Sequence, residues 1–263
     1  MIFLKLGGSL ITDKATAETP RPATLVRLAG EIRAALLADP SLRLLVGHGS
    51  GSFGHQVAAK YGTHRGASSE ADWRGFAEVW KVANRLHRLV VDALLEADVL
   101  AVSFPPSASA VCRDGEIRSM AVEPIRLALQ AGLVPVVAGD VAFDWARGST
   151  IVSTERVFAY LARELQPTRL LLAGVEAGVY ADFPSATRVL PVITEKDLSG
   201  ATLGEAMATD VTGGMADKVR QALAVAHSLP AIEIRIFSGA EPGNVCRALA
   251  GEALGTSVRP MIA

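Results

Sequence analysis

Three clusters of glycine, hydroxyl and cationic side chains stand out in this sequence as candidates for chemistry, and all three suit phosphate. The first is Lys5-Leu6-Gly7-Gly8-Ser9, with Lys14 a few residues on. The second is the loop His48-Gly49-Ser50-Gly51-Ser52-Phe53-Gly54-His55. The third is Thr209-Asp210-Val211-Thr212-Gly213-Gly214-Met215-Ala216-Asp217-Lys218. Glycines let backbone N–H groups approach phosphate oxygens, and a helix beginning at such a loop adds a favourable field. Gly213-Gly214 opens a helical pattern, which puts Lys218 about one turn inside it. Lys5 lies in an apolar run, where a buried lysine is costly unless it meets an anion. Alternation along a strand could equally turn it to solvent. Lys14 and Lys218, taken singly, also read as solvated lysines. His55 precedes an apparent helix (Gln56 to Tyr61) and could donate to a phosphate, whereas His48, at a strand end, reads as structural. His64, His87 and His227 show no partner pattern. No cluster has the spacing G-x-x-x-x-G-K-[ST], or G-x-G-x-x-G after a strand, so a nucleotide here needs a cradle of another kind.

These clusters need elements to hold them. Ile2 to Leu6 and Leu42 to Val46 read as buried strands that stop at the first and second clusters. Further strands are expected at Val99–Ser103, Ser109–Cys112, Leu133–Ala138, Arg169–Ala173 and Ala231–Phe237. Helices are expected at Arg21–Ala38, Ala71–Glu96, Val122–Gln130, Thr154–Leu165, Gly214–Ser228 and Gly243–Ala250. Asp114-Gly115 is a hairpin signal, and Glu176 to Ala208 is polar and turn-rich. Apolar strands alternating with helices predict an α/β fold: a three-layer α/β/α sandwich around a mostly parallel sheet. In such sheets the ligand crevice lies beyond the carboxyl ends of the strands, where the first two clusters fall.

With 263 residues, half of them hydrophobic, the chain can bury a large core as one domain. Net charge is −1, from 26 Lys and Arg against 27 Asp and Glu, which gives no basic surplus for nucleic acid. The two cysteines, Cys112 and Cys246, lie far apart with no metal-binding spacing, so neither a disulfide framework nor a zinc site is expected, and a reducing cytoplasm is. No run is long enough for a membrane span, and the first residues are not a signal peptide.

Taken together and in order, the clusters resemble the amino acid kinase superfamily: K-x-G-G-S, then H-G-x-G-S-F-G-H, then D-V-T-G-G-M-x-x-K. The wording of the second and third is similar to the isopentenyl phosphate kinases. Gly139-Asp140 and Gly174 to Tyr180 fall in the expected places. The resemblance implies a single domain over 1–263, with an acceptor-binding lobe to about residue 166 and a nucleotide-binding lobe beyond. It implies an ATP- and Mg²⁺-dependent kinase of a small phosphate acceptor in isoprenoid biosynthesis, a homodimer by analogy, with no protein-held metal, no nucleic-acid partner and no membrane. It assigns Lys5, Gly7, Gly8 and Ser9 to the ATP phosphates. Lys14 and Lys218 would flank the γ-phosphoryl group, and Gly213 and Gly214 would border the nucleotide, with Tyr180 and Asp182 nearby. Gly51, Gly54 and His55 would form the acceptor-phosphate loop.

Two segments depart from the family pattern. Ser50 stands where a third loop glycine is usual, and Ser153-Thr154-Glu155-Arg156 replaces S-G-D-D. Glu155 keeps a charge that orients the lysines, while Thr154 is expected to crowd the acceptor's backbone contact. The helix from Trp73 to Leu94 should wall the acceptor's organic tail, with Trp80 and Ala83 setting its length. Other acceptors (a furanylmethyl phosphate, fosfomycin) and a non-catalytic nucleotide-binding subunit remain alternatives.

Overall fold

A computed structural model describes residues 1–182, 185–199 and 214–261. Its centre is an eight-stranded sheet. In spatial order the strands are β12 (Val192–Ile193), β14 (Thr256–Val258), β13 (Glu233–Ser238), β11 (Arg169–Gly174), β1 (Ile2–Leu6), β4 (Leu44–His48), β8 (Val134–Ala138) and β5 (Ala101–Ser103). All neighbours run parallel except β13 and β14. β1 lies at the middle of the sheet, pairing with β11 on one side and β4 on the other.

Alternation along β1 decides which helices cover which face. Leu4 and Leu6 pack in a core with Leu28 and Ile32 of α2 (Pro22–Ala38) and Leu86 and Val90 of α4 (Glu70–Glu96). Phe3 points the other way, into a core with Phe158 and Leu161 of α6 (Thr154–Leu165) and Val219 of α8 (Gly214–Ser228). Lys5 shares the face of Phe3. The remaining helices are α1 (Gly8–Ile11), α3 (His55–Tyr61), α5 (Val122–Gln130), α7 (Glu195–Ser199) and α9 (Asn244–Leu249). Helix α4 begins at Ser69, whose hydroxyl accepts from the Asp72 N–H while Asp72 accepts from the Ser69 N–H, satisfying both donors at the helix entry.

A smaller four-stranded sheet has the order β10 (Gly148–Val152), β9 (Asp140–Asp144), β6 (Ala110–Arg113), β7 (Glu116–Met120). Asp114 and Gly115 turn the β6–β7 hairpin with φ of 54° and 83°, as a two-residue turn requires. The β9–β10 hairpin is absent from the sequence expectation. Its signal, alternation through Val141 and Phe143 with a turn at Arg147-Gly148, is short and polar-interrupted. Asp144 ties the two hairpins together by accepting from the N–H groups of Asp114, Gly115, Ala146 and Arg147. β4 also runs two residues beyond the expected end, so His48 is a strand residue.

Candidate active site

The carboxyl ends of β1 and β4 meet so closely that only glycine fits between them. A Cβ on Gly8 would lie 2.3 Å from the Gly51 nitrogen, and one on Gly51 would lie 2.0 Å from the Thr12 hydroxyl. Gly51 also has φ +53°, a conformation that disfavours side chains. Thr12 joins the two loops: its hydroxyl donates to the Gly8 carbonyl (2.8 Å) and accepts from the Ser52 N–H (2.9 Å). Backbone bonds from Gly7 to the Ala173 carbonyl and from Gly49 to the Leu6 carbonyl seat both loops on the sheet.

Lys5 is buried and meets Glu155 at 2.9 Å. The β1 alternation that sends Phe3 toward α6 sends Lys5 to the first turn of the same helix, where a carboxylate is favoured by the N-terminal field. Burial works to raise the Glu155 pKa, but the Lys5 charge and hydrogen bond, with the Lys218 charge, outweigh it and hold the carboxyl below its usual range. Ser153 caps the helix, accepting from the Arg156 N–H.

A cleft of about 380 Å³ opens at this point. Gly8, Ser9, Ser50, Gly51 and Gly54 line one part of it, and Lys5, Lys14, Glu155 and Lys218 converge on it from β1, the turn between the short strands β2 (Thr12–Asp13) and β3 (Thr19–Pro20), α6 and α8. Val79, Ala83, Ile151 and Val152 add an apolar wall. A second, narrower cavity adjoins it, bounded by Lys5, Gly7, Glu155 and Lys218 together with Gly174, Val175 and Met215. Segments far apart in the sequence thus share one pair of connected cavities carrying three lysines.

A family model for the amino acid kinase family matches residues 1–238. The chain belongs to the amino acid kinase family. Within the family, the isopentenyl phosphate kinase of Methanothermobacter thermautotrophicus is 38% identical over 96% of each chain, and that of Haloferax volcanii is 38% identical over 98% of each. A solved isopentenyl phosphate kinase superposes with a TM-score of 0.83 at 35% identity, covering 98% of this chain and 99% of the other.

Of the other residues expected at the amino acid kinase site, some lie outside the described residues and others line neither cavity. His55 opens α3 immediately after Gly54, which has φ +87°; its side chain lies outside the described residues. Gly213 also lies outside them, and Gly214 is the first residue of α8. Tyr180 and Asp182 line neither cavity. Tyr180 bridges Val189, and the Asp182 carboxylate closes its own turn by accepting from the Thr187 hydroxyl and from the Thr187 and Arg188 N–H groups. Trp80 is 44% exposed and lies outside the apolar wall, because the α4 stripe of Val79 and Ala83 turns position 80 roughly 100° away. Thr154 does not crowd the cleft with a free hydroxyl: it donates to the His48 carbonyl (2.6 Å) and accepts from the Gly139 N–H (2.9 Å).

Two further groups have partners or surroundings that the sequence pattern does not signal. Asp140 borders the cleft; burial pushes its pKa up against hydrogen bonds from Ser107 and the Val141 N–H. His87 bonds His48 (Nδ1 to Nε2, 2.9 Å) and Ser103 (Nε2 to Oγ, 2.7 Å), a partnership across 39 residues that no local pattern signals. His227 also has a partner, Glu195 at 2.5 Å.

Proposed function

We propose that this chain transfers the γ-phosphoryl group of ATP to isopentenyl phosphate, yielding isopentenyl diphosphate and ADP. The observation that carries the reading is the convergence of Lys5, Lys14 and Lys218 with the two interlocked glycine loops on one cleft that ends in an apolar wall. The similarity to isopentenyl phosphate kinases over nearly the full chain supports the acceptor's identity.

The chemistry needs little from the protein beyond placement and charge. An oxygen of the acceptor phosphate attacks the γ-phosphorus, the bond to the β–γ bridging oxygen breaks, and ADP departs with that electron pair. A phosphate monoester near neutral pH already carries an anionic oxygen, so no strong base is required. The obstacle is repulsion between two anions, and in the loose transition state charge spreads over the transferred oxygens. Lys14 and Lys218 flank the γ-phosphoryl group, and Lys5, Gly7, Gly8 and Ser9 cradle the ATP phosphates. Glu155 fixes the Lys5 ammonium rather than accepting a proton. Gly51, Gly54 and His55, with Ser50 beside them, hold the acceptor phosphate, and Val79, Ala83 and Ile151 face its tail. The lobe to about residue 166 binds the acceptor and lends Lys5 to Ser9 and Lys14 to the ATP phosphates, while the lobe beyond binds the rest of the nucleotide.

Among the described residues no group of three or more His, Cys, Asp or Glu is placed to hold a metal ion, so a site built by the protein alone does not fit them. Mg²⁺ would arrive on the ATP phosphates themselves, as is usual for nucleotide enzymes, and would offset part of their charge. Two free cysteines fit a reducing cytoplasm, and among the described residues no helix is long and apolar enough to cross a membrane.

ADP release measured with isopentenyl phosphate, furanylmethyl phosphate and fosfomycin tests the reading. Isopentenyl phosphate should give the highest kcat/KM. Turnover of another acceptor with none of this one would overturn it.

A further inference from the structure

Thr154 and the buried pair His48–His87 form one hydrogen-bonded unit behind the cleft. The Thr154 hydroxyl uses both its roles, donating to the His48 carbonyl at 2.6 Å and accepting from the Gly139 N–H at 2.9 Å. Its methyl group packs on Gly47, where a Cβ would come within 3.0 Å. His48 Nδ1 contacts the Gly49 carbonyl (3.1 Å), His48 Nε2 contacts His87 Nδ1, and His87 Nε2 contacts Ser103 Oγ. Every contact is satisfied by neutral rings when each histidine carries its proton on Nδ1 and Ser103 donates. All three of Thr154, His48 and His87 are 5% exposed or less.

The position of this unit matters because each member adjoins a site element. His48 is followed directly by the Gly49–Gly54 loop, Thr154 by Glu155, and Gly139 by Asp140. Glu155 in turn holds Lys5. We propose that Thr154 is a positioning residue: by stapling the ends of β4 and β8 to the start of α6, it fixes the acceptor loop relative to the Lys5–Glu155 pair. His87 braces the staple from α4 by holding the His48 ring. The inference rests on the kinase reading above, and it explains what a threonine does where relatives were expected to have glycine.

The T154V variant keeps the methyl group and the shape, replacing the hydroxyl by a second methyl, but leaves a buried carbonyl and N–H without the Thr154 hydroxyl. It should lower kcat/KM for the acceptor about tenfold or more, largely through the acceptor KM, with the KM for ATP unchanged. Hydrogen exchange of the 49–54 amides should quicken in the same variant. T154S, which retains the hydroxyl, should restore both. H87L should shift the same two readouts by less, and it carries the test if T154V does not fold. Wild-type acceptor kinetics and loop exchange in T154V, or in H87L when T154V is not folded, would overturn the inference. So would a loss of stability with unchanged acceptor KM. If the unaltered enzyme does not turn over isopentenyl phosphate, the acceptor assignment fails while loop exchange still decides the role of Thr154.

Discussion

The two ends of the cleft are built differently. Around the loop proposed for the acceptor, the backbone of Gly51 touches that of Gly8 in the loop proposed for the ATP phosphates, and Thr12 and Thr154 fasten the loops through paired hydroxyl bonds. At the nucleotide end, a Cβ on Gly174 would meet nothing nearer than 4.0 Å, and Val175 and Glu176 are exposed. The two interlocked glycine loops are therefore preorganised, while the backbone at Gly174 is open. Electrostatic preorganisation is most effective where groups need not move during reaction. On the proposed assignment, the stricter geometry serves the phosphates of acceptor and ATP, and the looser one serves the rest of the nucleotide, which has more surface to hold it.

Charge removal should break the comparison most sharply. His55→Ala should cut turnover with the phosphate acceptor by on the order of 10²–10³ while nucleotide binding, read by calorimetry, stays intact. Lys218→Ala should lower kcat by a similar order with little change in acceptor KM. Equal losses of nucleotide binding in both variants would erase the distinction between the two ends.

Breaking the buried ion pair comes next. Glu155→Gln leaves the Lys5 charge without its partner and should cost about 3 kcal/mol of stability in denaturant unfolding. Backbone probes then sharpen the contrast. Gly51→Ala combines a clash at 2.0 Å with a positive φ, and should destabilise by about 2 kcal/mol and weaken the acceptor. Gly174→Ala should change stability by less than about 0.5 kcal/mol.

The pH dependence of stability follows from the histidines. Burial first, then His87 and Lys5, drives the His48 pKa down to about 3, and burial drives His87 to about 4. Both lie below the ordinary 6.5, so as pH falls the unfolded chain takes up protons before the folded one. Thermal stability should therefore decline as pH drops from 6.5 toward 4. Glu155 acts lower: its folded pKa is held below 4.5, so its contribution persists above that value and is lost beneath it. A flat melting temperature between pH 6.5 and 4.5 would remove the buried pair from the account. The smallest effect is expected at Trp80→Ala, which should leave the acceptor chain-length profile unchanged, whereas Val79→Ala should admit longer tails.

Much of this was legible in residue order. Apolar runs of strand length that stop at glycine gave β1 and β4, and helical spacing gave α2, α4 and α6, because burial on one stripe leaves a periodic record. The first two phosphate-suited clusters share that legibility, since the close approach of Gly8 and Gly51 demands glycine at fixed positions. What escaped depends on contacts across the sheet. The β9–β10 hairpin has no strong apolar alternation, and His87 and Thr154 acquire their roles only from strands brought beside them. Trp80 was misplaced because one residue along a helix changes its face by about 100°.

A complex with an unreactive ATP analogue and isopentenyl phosphate tests the central claim most directly. The account predicts the terminal phosphoryl group among Lys5, Lys14 and Lys218, with an acceptor oxygen in line at about 3–3.5 Å beside the Gly51–His55 loop. Binding of the two phosphates to separate surfaces, or an acceptor phosphate lodged away from that loop, would contradict it.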